Sequence, residues 1–297
     1  MDTTRPVLSI VTVLAVLGSA VTACSTAPEA QLPAMPPGST RPFDLFRGDH
    51  IALINDAQIK LQSECMVGKG YSQFAQLVNV RTDGEFGFNE DPFAPRTEEQ
   101  AQRYGLGKPR PASPPRVSGK GDGAYNASID HCEETAWKAV VDTGVFSQYY
   151  QLGNSLTSEF SGKLDQVGVD FKQPVLDCLR GKGYVGTGAD LGSVESFGVK
   201  VGSLVGASSV PETRPESADG LIVEPSKPAQ EYVPTAEETK FAVTLVRCRT
   251  ETGMFAKVDE VANNAQQKIV EDHAVEFAEL NPKMDIAAKE AAKVLGR

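Results

Sequence analysis

Apolar residues recur at steps of three and four along several stretches of this chain, and each stretch reads as a helix with one buried face. Ile51, Ile54, Gln58, Leu61 and Cys65 form the first, with Asp49 placed to cap its start. Gly68 is placed to end it as a left-handed cap, and Gly70 to let Tyr71 pack back. Tyr125, Ile129 and Cys132 open a second helix, which continues through Ala136, Ala139 and Val140. Gly144, Gly153 and Gly162 are expected to bend or divide the helical stretch from Phe146 to Leu164. Phe171, Val175, Leu176 and Cys178 start another helix, with Pro174 in its first turn and Gly181 as its stop. The longest stripe runs through Phe241, Leu245, Cys248, Thr252, Phe255, Val258, Ala262, Ala265 and Ile269. Pro282 is expected to break it before an amphipathic segment from Asp285 to Leu295. Thr97-Glu98-Glu99-Gln100 and Thr235-Ala236-Glu237-Glu238 read as capping boxes that open helices. Residues 73–123 and 185–234 are broken by proline and glycine and read as irregular connectors. Phe197 to Val205 is placed either as a short hairpin or as a segment simply draped over the domain.

The pattern occurs twice. Cys65-Met66-Val67-Gly68-Lys69-Gly70-Tyr71 returns as Cys178-Leu179-Arg180-Gly181-Lys182-Gly183-Tyr184, and each copy is followed by a second cysteine, Cys132 and Cys248. Tyr125 and Phe241 both precede that cysteine by seven residues (132 − 125 and 248 − 241). Downstream, Glu134-Thr135, Asp142 and Glu159-Phe160 recur as Glu251-Thr252, Asp259 and Glu276-Phe277, at an offset of 117 (276 − 159). The expected architecture is mainly α: two tandem helical repeats, 43–165 and 166–297, with long irregular connectors.

Compartment follows from the N-terminal residues. Arg5 precedes a nearly unbroken apolar run from Val7 to Val21, as in a secretory signal over residues 1–23. The run closes with Val21-Thr22-Ala23-Cys24, which resembles the lipobox of bacterial lipoproteins. That resemblance implies a lipidated Cys24, carrying acyl chains such as palmitate, on the extracytoplasmic face of the cell membrane. Residues 24–42, with five prolines in Pro28, Pro33, Pro36, Pro37 and Pro42, then read as a flexible tether. Export into an oxidising compartment makes two disulfides the expected state of Cys65, Cys132, Cys178 and Cys248. The duplication favours Cys65 with Cys132 and Cys178 with Cys248; an exchange between repeats, Cys65 with Cys248 and Cys132 with Cys178, is the competing arrangement.

The net charge of −10 argues against nucleic acid as a partner. The Gly-Lys-Gly turns fail as phosphate cradles because they follow helices, whose carbonyl ends repel anions. His50, His131 and His273 show no metal-ligand spacing, and no Gly-x-Ser-x-Gly, Ser-x-x-Lys or Cys-x-x-Cys is present, so no catalytic residue, cofactor or metal is assigned. The aromatics Phe43, Phe46, Phe86, Phe88, Phe93, Trp137, Tyr149 and Tyr150 fit no helical core stripe; those of the connector up to Phe93, namely Phe86, Phe88 and Phe93, either line a ligand groove or cover a core edge under a long loop.

The Cys-x2-Gly-Lys-Gly-Tyr repeats and the distant helical cysteines, with the lipobox, resemble exported actinobacterial lipoproteins of unassigned function. The resemblance implies an envelope location and carries over no catalytic residue. The expected function is a non-enzymatic binding or adaptor role, tethered to the bilayer through Cys24 and engaging an exported or membrane protein. A solute-binding lipoprotein of a transporter is the alternative, and an envelope hydrolase a third.

Overall fold

The computed structural model describes residues 32–81, 86–88, 92–119, 121–186, 194–206 and 221–297; the expected signal segment, residues 1–23, and Cys24 lie outside the described residues. The fold is mainly helical, with both cystines formed as Cys65–Cys132 and Cys178–Cys248. Seven α-helices are described: α1 (Gly48–Gly68), α2 (Glu98–Tyr104), α3 (Gly123–Val140), α4 (Thr143–Gly181), α5 (Ala236–Glu251), α6 (Met254–Asp272) and α7 (Ala274–Leu295). In none of them is an apolar stretch long enough to cross a membrane.

The two Gly-Lys-Gly-Tyr turns have one geometry. Tyr71 N–H donates to the Met66 carbonyl at 3.0 Å and Gly70 N–H to that of Val67 at 2.9 Å. Tyr184 donates to Leu179 at 3.0 Å and Gly183 to Arg180 at 3.0 Å, so each helix closes in a Schellman motif. The left-handed residue is the second glycine of each motif, Gly70 (φ 99°) and Gly183 (φ 91°), and not Gly68. Lys69 and Lys182 still close helical bonds to Cys65 and Cys178, so the reversal is delayed until the next residue. The tyrosine then packs back edge-on, Tyr71 against Tyr125 at 5.3 Å and Tyr184 against Phe241 at 5.0 Å, on residues that hold the same place in the two repeats. Each cystine ties this first helix to the one bearing that aromatic, with Cα atoms 5.6 Å apart in both copies.

Where the third helix of one repeat meets the first helix of the next, the two are a single element. α4 runs unbroken through Gly144, Gly153, Gly162 and Pro174, so these residues neither divide it nor start a new helix. Pro174 lies on the exposed side, while Leu164, Val167, Val175 and Leu179 keep the buried face continuous. The boundary at 165/166 falls inside this helix. The principal core takes Ile51, Ile54 and Phe160 from the first repeat with Phe241, Phe277 and Met284 from the second, and the repeats fold as one body.

Two helix breaks differ from expectation. The long stripe from Phe241 to Ile269 is split at Gly253, which is left-handed (φ 79°) and ends α5. The turn shifts the phase, so that Met254 is buried where the unbroken stripe placed Phe255. Pro282 does not break α7; it is exposed, and burial of Leu280, Met284, Ala287 and Ala291 carries the helix past it. The break falls instead at His273, between α6 and α7. At the start of α1, Asp49 lies in the first turn and the capping position is Arg47.

The connectors are more ordered than their composition suggests. β1 (Arg116–Gly119) pairs antiparallel with β3 (Leu221–Glu224), and β2 (Ser203–Val205) with β4 (Glu231–Val233). The β1–β3 register continues through bridges at Ser113–Lys227 and Arg110–Gln230. The strand at Ser203–Val205 therefore pairs with residues far along the chain and forms no local hairpin. The connector of the first repeat also docks on the second repeat. α2 packs against α5, Arg96 pairs with Asp259 at 2.8 Å, and Arg249 donates to the Phe93 carbonyl at 2.7 Å.

The Thr97 capping box forms in full. At α5 only half of the second box forms: Thr235 accepts from the Glu238 N–H, but the Glu238 carboxylate turns into the protein. There it is fully buried and accepts from the N–H of Leu106 (2.9 Å), the N–H of Gly202 (2.6 Å) and the Tyr232 hydroxyl (2.9 Å). Burial, and then the hydrogen bond to Glu238, push the Tyr232 hydroxyl above its ordinary pKa. One carboxylate thus joins both connectors to α5.

Candidate functional site

The aromatics without a helical stripe converge. Phe46 stacks on Tyr149 with ring centroids 4.6 Å apart, Phe43 meets Phe88 at 4.4 Å, and Phe86 meets Phe46 at 5.1 Å and Tyr150 at 5.2 Å. Two glycines make the approach possible. A Cβ on Gly153 would stand 2.7 Å from the rings of Phe46 and Phe86, and one on Gly48 would stand 2.4 Å from the Phe86 carbonyl. Gly153 is therefore space for rings and not a helix bend. Phe93 and Trp137 lie elsewhere, beside Arg249 and Phe146 respectively.

The segment that carries Phe43 and Phe46 is pinned by a buried chain of hydrogen bonds. The Arg47 N–H donates to the Tyr149 hydroxyl (2.6 Å), which donates to Asn281 Oδ1 (2.9 Å); the Asn281 amide donates to the Leu45 carbonyl (3.0 Å). Burial, the largest influence, raises the Tyr149 pKa and keeps this hydroxyl a donor. The chain joins the start of α1 to α4 and α7, so both repeats fix one wall.

Above the rings opens a cavity of about 660 Å3, bounded by Pro36–Ser39, Phe43, Arg47, His50, Phe86, Phe88 and Asp285. Its volume lies in the range of small-ligand sites. Asp285 organises the charges, taking a bond from Arg47 Nε at 3.3 Å and facing His50 Nδ1 at 3.4 Å. Near the mouth, burial opposes ionisation of Asp44, but the N–H groups of Thr40 and Arg41 and the Arg41 guanidinium outweigh it and hold the carboxyl below its usual pKa. Charged groups thus ring an apolar floor, an arrangement suited to orienting a bound group.

The remaining histidines part company. His131 is exposed on α3 beside the Cys65–Cys132 cystine. His273 is largely enclosed at the α6–α7 break, with Nε2 at 3.0 Å from Glu159 and Nδ1 at 3.2 Å from Glu276. Both ring nitrogens face carboxylate oxygens, which only the imidazolium can satisfy with two N–H donors. Burial opposes its charge, yet the two glutamates outweigh burial and raise the pKa above the ordinary histidine value. Among the described residues no cluster of three His, Cys, Asp or Glu could hold a metal.

Sequence reasoning named the aromatics, His50 and His273 but missed Arg47, Asn281 and Asp285. The one available signal was Asn281, a polar residue in phase with the buried positions Phe277, Leu280 and Met284. No protein-family model, no curated protein and no solved structure matches this chain.

Proposed function

We propose that this chain is a lipid-anchored binding protein of the cell envelope, which engages an exported or membrane partner through the aromatic cavity at the root of its tether. The observation that carries the reading is the cavity itself: aromatic residues outside the helical stripes meet there, and both repeats contribute to its walls. Its position along the chain adds to this. Pro36, on the wall, is 12 residues beyond Cys24 (36 − 24), a span of at most about 40 Å fully extended. A partner seated in the cavity would then lie close to the bilayer.

Two experiments test the parts separately. Cys24→Ala releases the protein from the membrane fraction; unchanged membrane partitioning removes the anchor. A photoreactive residue at Phe88 in the native lipoprotein crosslinks one discrete envelope protein, and Ser39→Trp, which fills the cavity mouth, abolishes the adduct. An adduct indifferent to Ser39→Trp places binding elsewhere, and a small-molecule adduct at Phe88 instead supports the solute-binding alternative.

One further observation favours the hydrolase as a second reading. Ser39, His50 and Asp285 share the cavity wall, with His50 Nδ1 3.4 Å from Asp285 but not hydrogen-bonded to it. It stands second because no hydrogen bond joins the Ser39 hydroxyl to His50 among those formed by the described residues. Labelling of Ser39 by a fluorophosphonate, lost in both Ser39→Ala and His50→Ala, would bring it to the front.

A further inference from the structure

α4 runs antiparallel to the line of α6 and α7. Residues 148–155 of α4 face residues 273–280, and residues 158–163 face residues 261–272. Glu159 and Glu276, equivalent positions of the two repeats, share the single imidazole of His273. Exchanging the repeats at their offset of 117 maps this helix pair onto itself, about a pseudo-twofold axis near Thr157 and Ala274 (274 − 157). A groove on one side of the axis therefore has a twin on the other. Of the eight residues lining the smaller groove, seven are counterparts of residues lining the larger.

The twins have diverged in a consistent direction. The larger groove has a volume of about 650 Å3 and the smaller about 290 Å3. Where the smaller is lined by Glu279, Leu280 and Gln148, the larger has Gly162, Lys163 and Ala265. Gly162 and Ala265 stand where the smaller groove has two bulky polar side chains and open the trough onto Val261 and Ile269, and Lys163 stands where it has an apolar residue. The other charges along the larger groove are matched: Lys268 pairs with Asp272 at 2.9 Å, and Glu159 with His273. No ion pair of Lys163 is formed among the described residues.

We propose that the groove between Ser158–Lys163 of α4 and Val261–Asp272 of α6 binds a single-chain anionic amphiphile, a long-chain carboxylate whose tail lies along Gly162, Val261, Ala265 and Ile269 and whose head meets Lys163. The apolar floor is a single line of side chains, Val261, Ala265 and Ile269 on α6, flanked by Gly162. An extended aliphatic tail fills the same space with apolar contact along its length, and the unmatched lysine selects the charge of the head. This site lies apart from the aromatic cavity and shares no lining residue with it.

The test uses the twin as its template. The full chain carrying Cys24→Ala, so that no acyl chain of its own competes, is titrated with laurate below its micellar concentration. Dodecyltrimethylammonium serves as the same tail with a cationic head. Laurate is expected to bind saturably at one equivalent, and the cation far more weakly. Gly162→Glu gives the groove the residue of its twin. It should weaken laurate binding by about tenfold or more with the fold intact, since a Cβ there meets nothing within 4 Å. Lys163→Leu should weaken laurate and leave the cation unaffected. The proposal is overturned if laurate does not saturate, if Gly162→Glu leaves its binding unchanged while the cystines and unfolding midpoint are intact, if the cation binds as tightly, or if an amphipathic helical peptide binds the groove in place of laurate.

Discussion

The two repeats carry the same cystine across the same pair of helices but surround it differently. Cys65–Cys132 lies in a small satellite cluster with Met66, Phe74 and Tyr125, whereas Cys248 belongs to the principal core, beside Phe241 and Tyr184. The second repeat also holds the connectors, through Glu238, Arg249 and Asp259, whereas the buried carboxylate of the first repeat, Asp56, lies within α1. The duplication has kept what ends and ties the helices: the left-handed glycine, the returning aromatic and the disulfide. Divergence has concentrated where helices face solvent or each other, and that is where the cavity and the unequal grooves lie.

The largest expected effects break this comparison at its cystines. Closing loops with sequence separations of 67 and 70 restricts the unfolded chain almost equally, by about 4 kcal/mol each. Removing Cys178 and Cys248 together should nevertheless cost more than removing Cys65 and Cys132, because the second pair sits in the principal core. Urea unfolding of the two double-alanine variants decides; equal losses would mean that the surroundings contribute nothing. Glu238→Ala comes next, at roughly 3 kcal/mol, since it strands the buried N–H groups of Leu106 and Gly202. Hydrogen exchange should then rise in both connectors together, and protection retained in either would contradict a shared tie.

His273 gives a smaller and pH-dependent effect. Its folded pKa is raised, so the stabilisation from Glu159 and Glu276 is fully present below the unfolded value of about 6.5 and is lost as pH rises through the folded value. His273→Leu, which installs the residue of its counterpart Leu156, should lower stability by about 1–2 kcal/mol at pH 6 and much less at pH 9. A pH-independent difference between the two proteins would rule out the shared imidazolium. The smallest effect sharpens the likeness instead: Gly70→Ala and Gly183→Ala should each cost about 1 kcal/mol, and equally, because both force a side chain into a left-handed cap. Thermal unfolding of the pair measures it.

Much of this fold was legible because its signals are local. Helix faces and the Gly-Lys-Gly-Tyr stops follow from spacing along a few turns, and the duplication favoured pairing the cysteines within repeats, as Cys65–Cys132 and Cys178–Cys248 show. Gly253 was not legible, because the apolar stripe continues through it; only the backbone shows that a left-handed turn resets the phase onto Met254. Pro174 and Pro282 read as boundaries because their local cost is real, but core burial on both sides outweighs it. The pairing of the ribbons could not be read, since Arg116 pairs with Glu224 far along the chain and Ser203–Val205, read within a short hairpin or a draped segment, pairs instead with Glu231–Val233. For the site, the sequence marked the aromatics as unplaced without bringing them together. Their convergence depends on Gly48 and Gly153 making room, and on Asn281 and Asp285 arriving from the opposite end of the chain.

The account rests on the repeats forming one body, because the cavity has Phe43 and Arg47 on one side and Asp285 of α7 on the other. Trp137 is the single tryptophan and lies in the first repeat, so its fluorescence reports that half while far-ultraviolet circular dichroism reports both. Urea unfolding followed by the two probes should give coincident transitions with one midpoint. A fluorescence transition completed while half the helical signal persists would show two independently folding repeats and would leave the cavity without its shared walls.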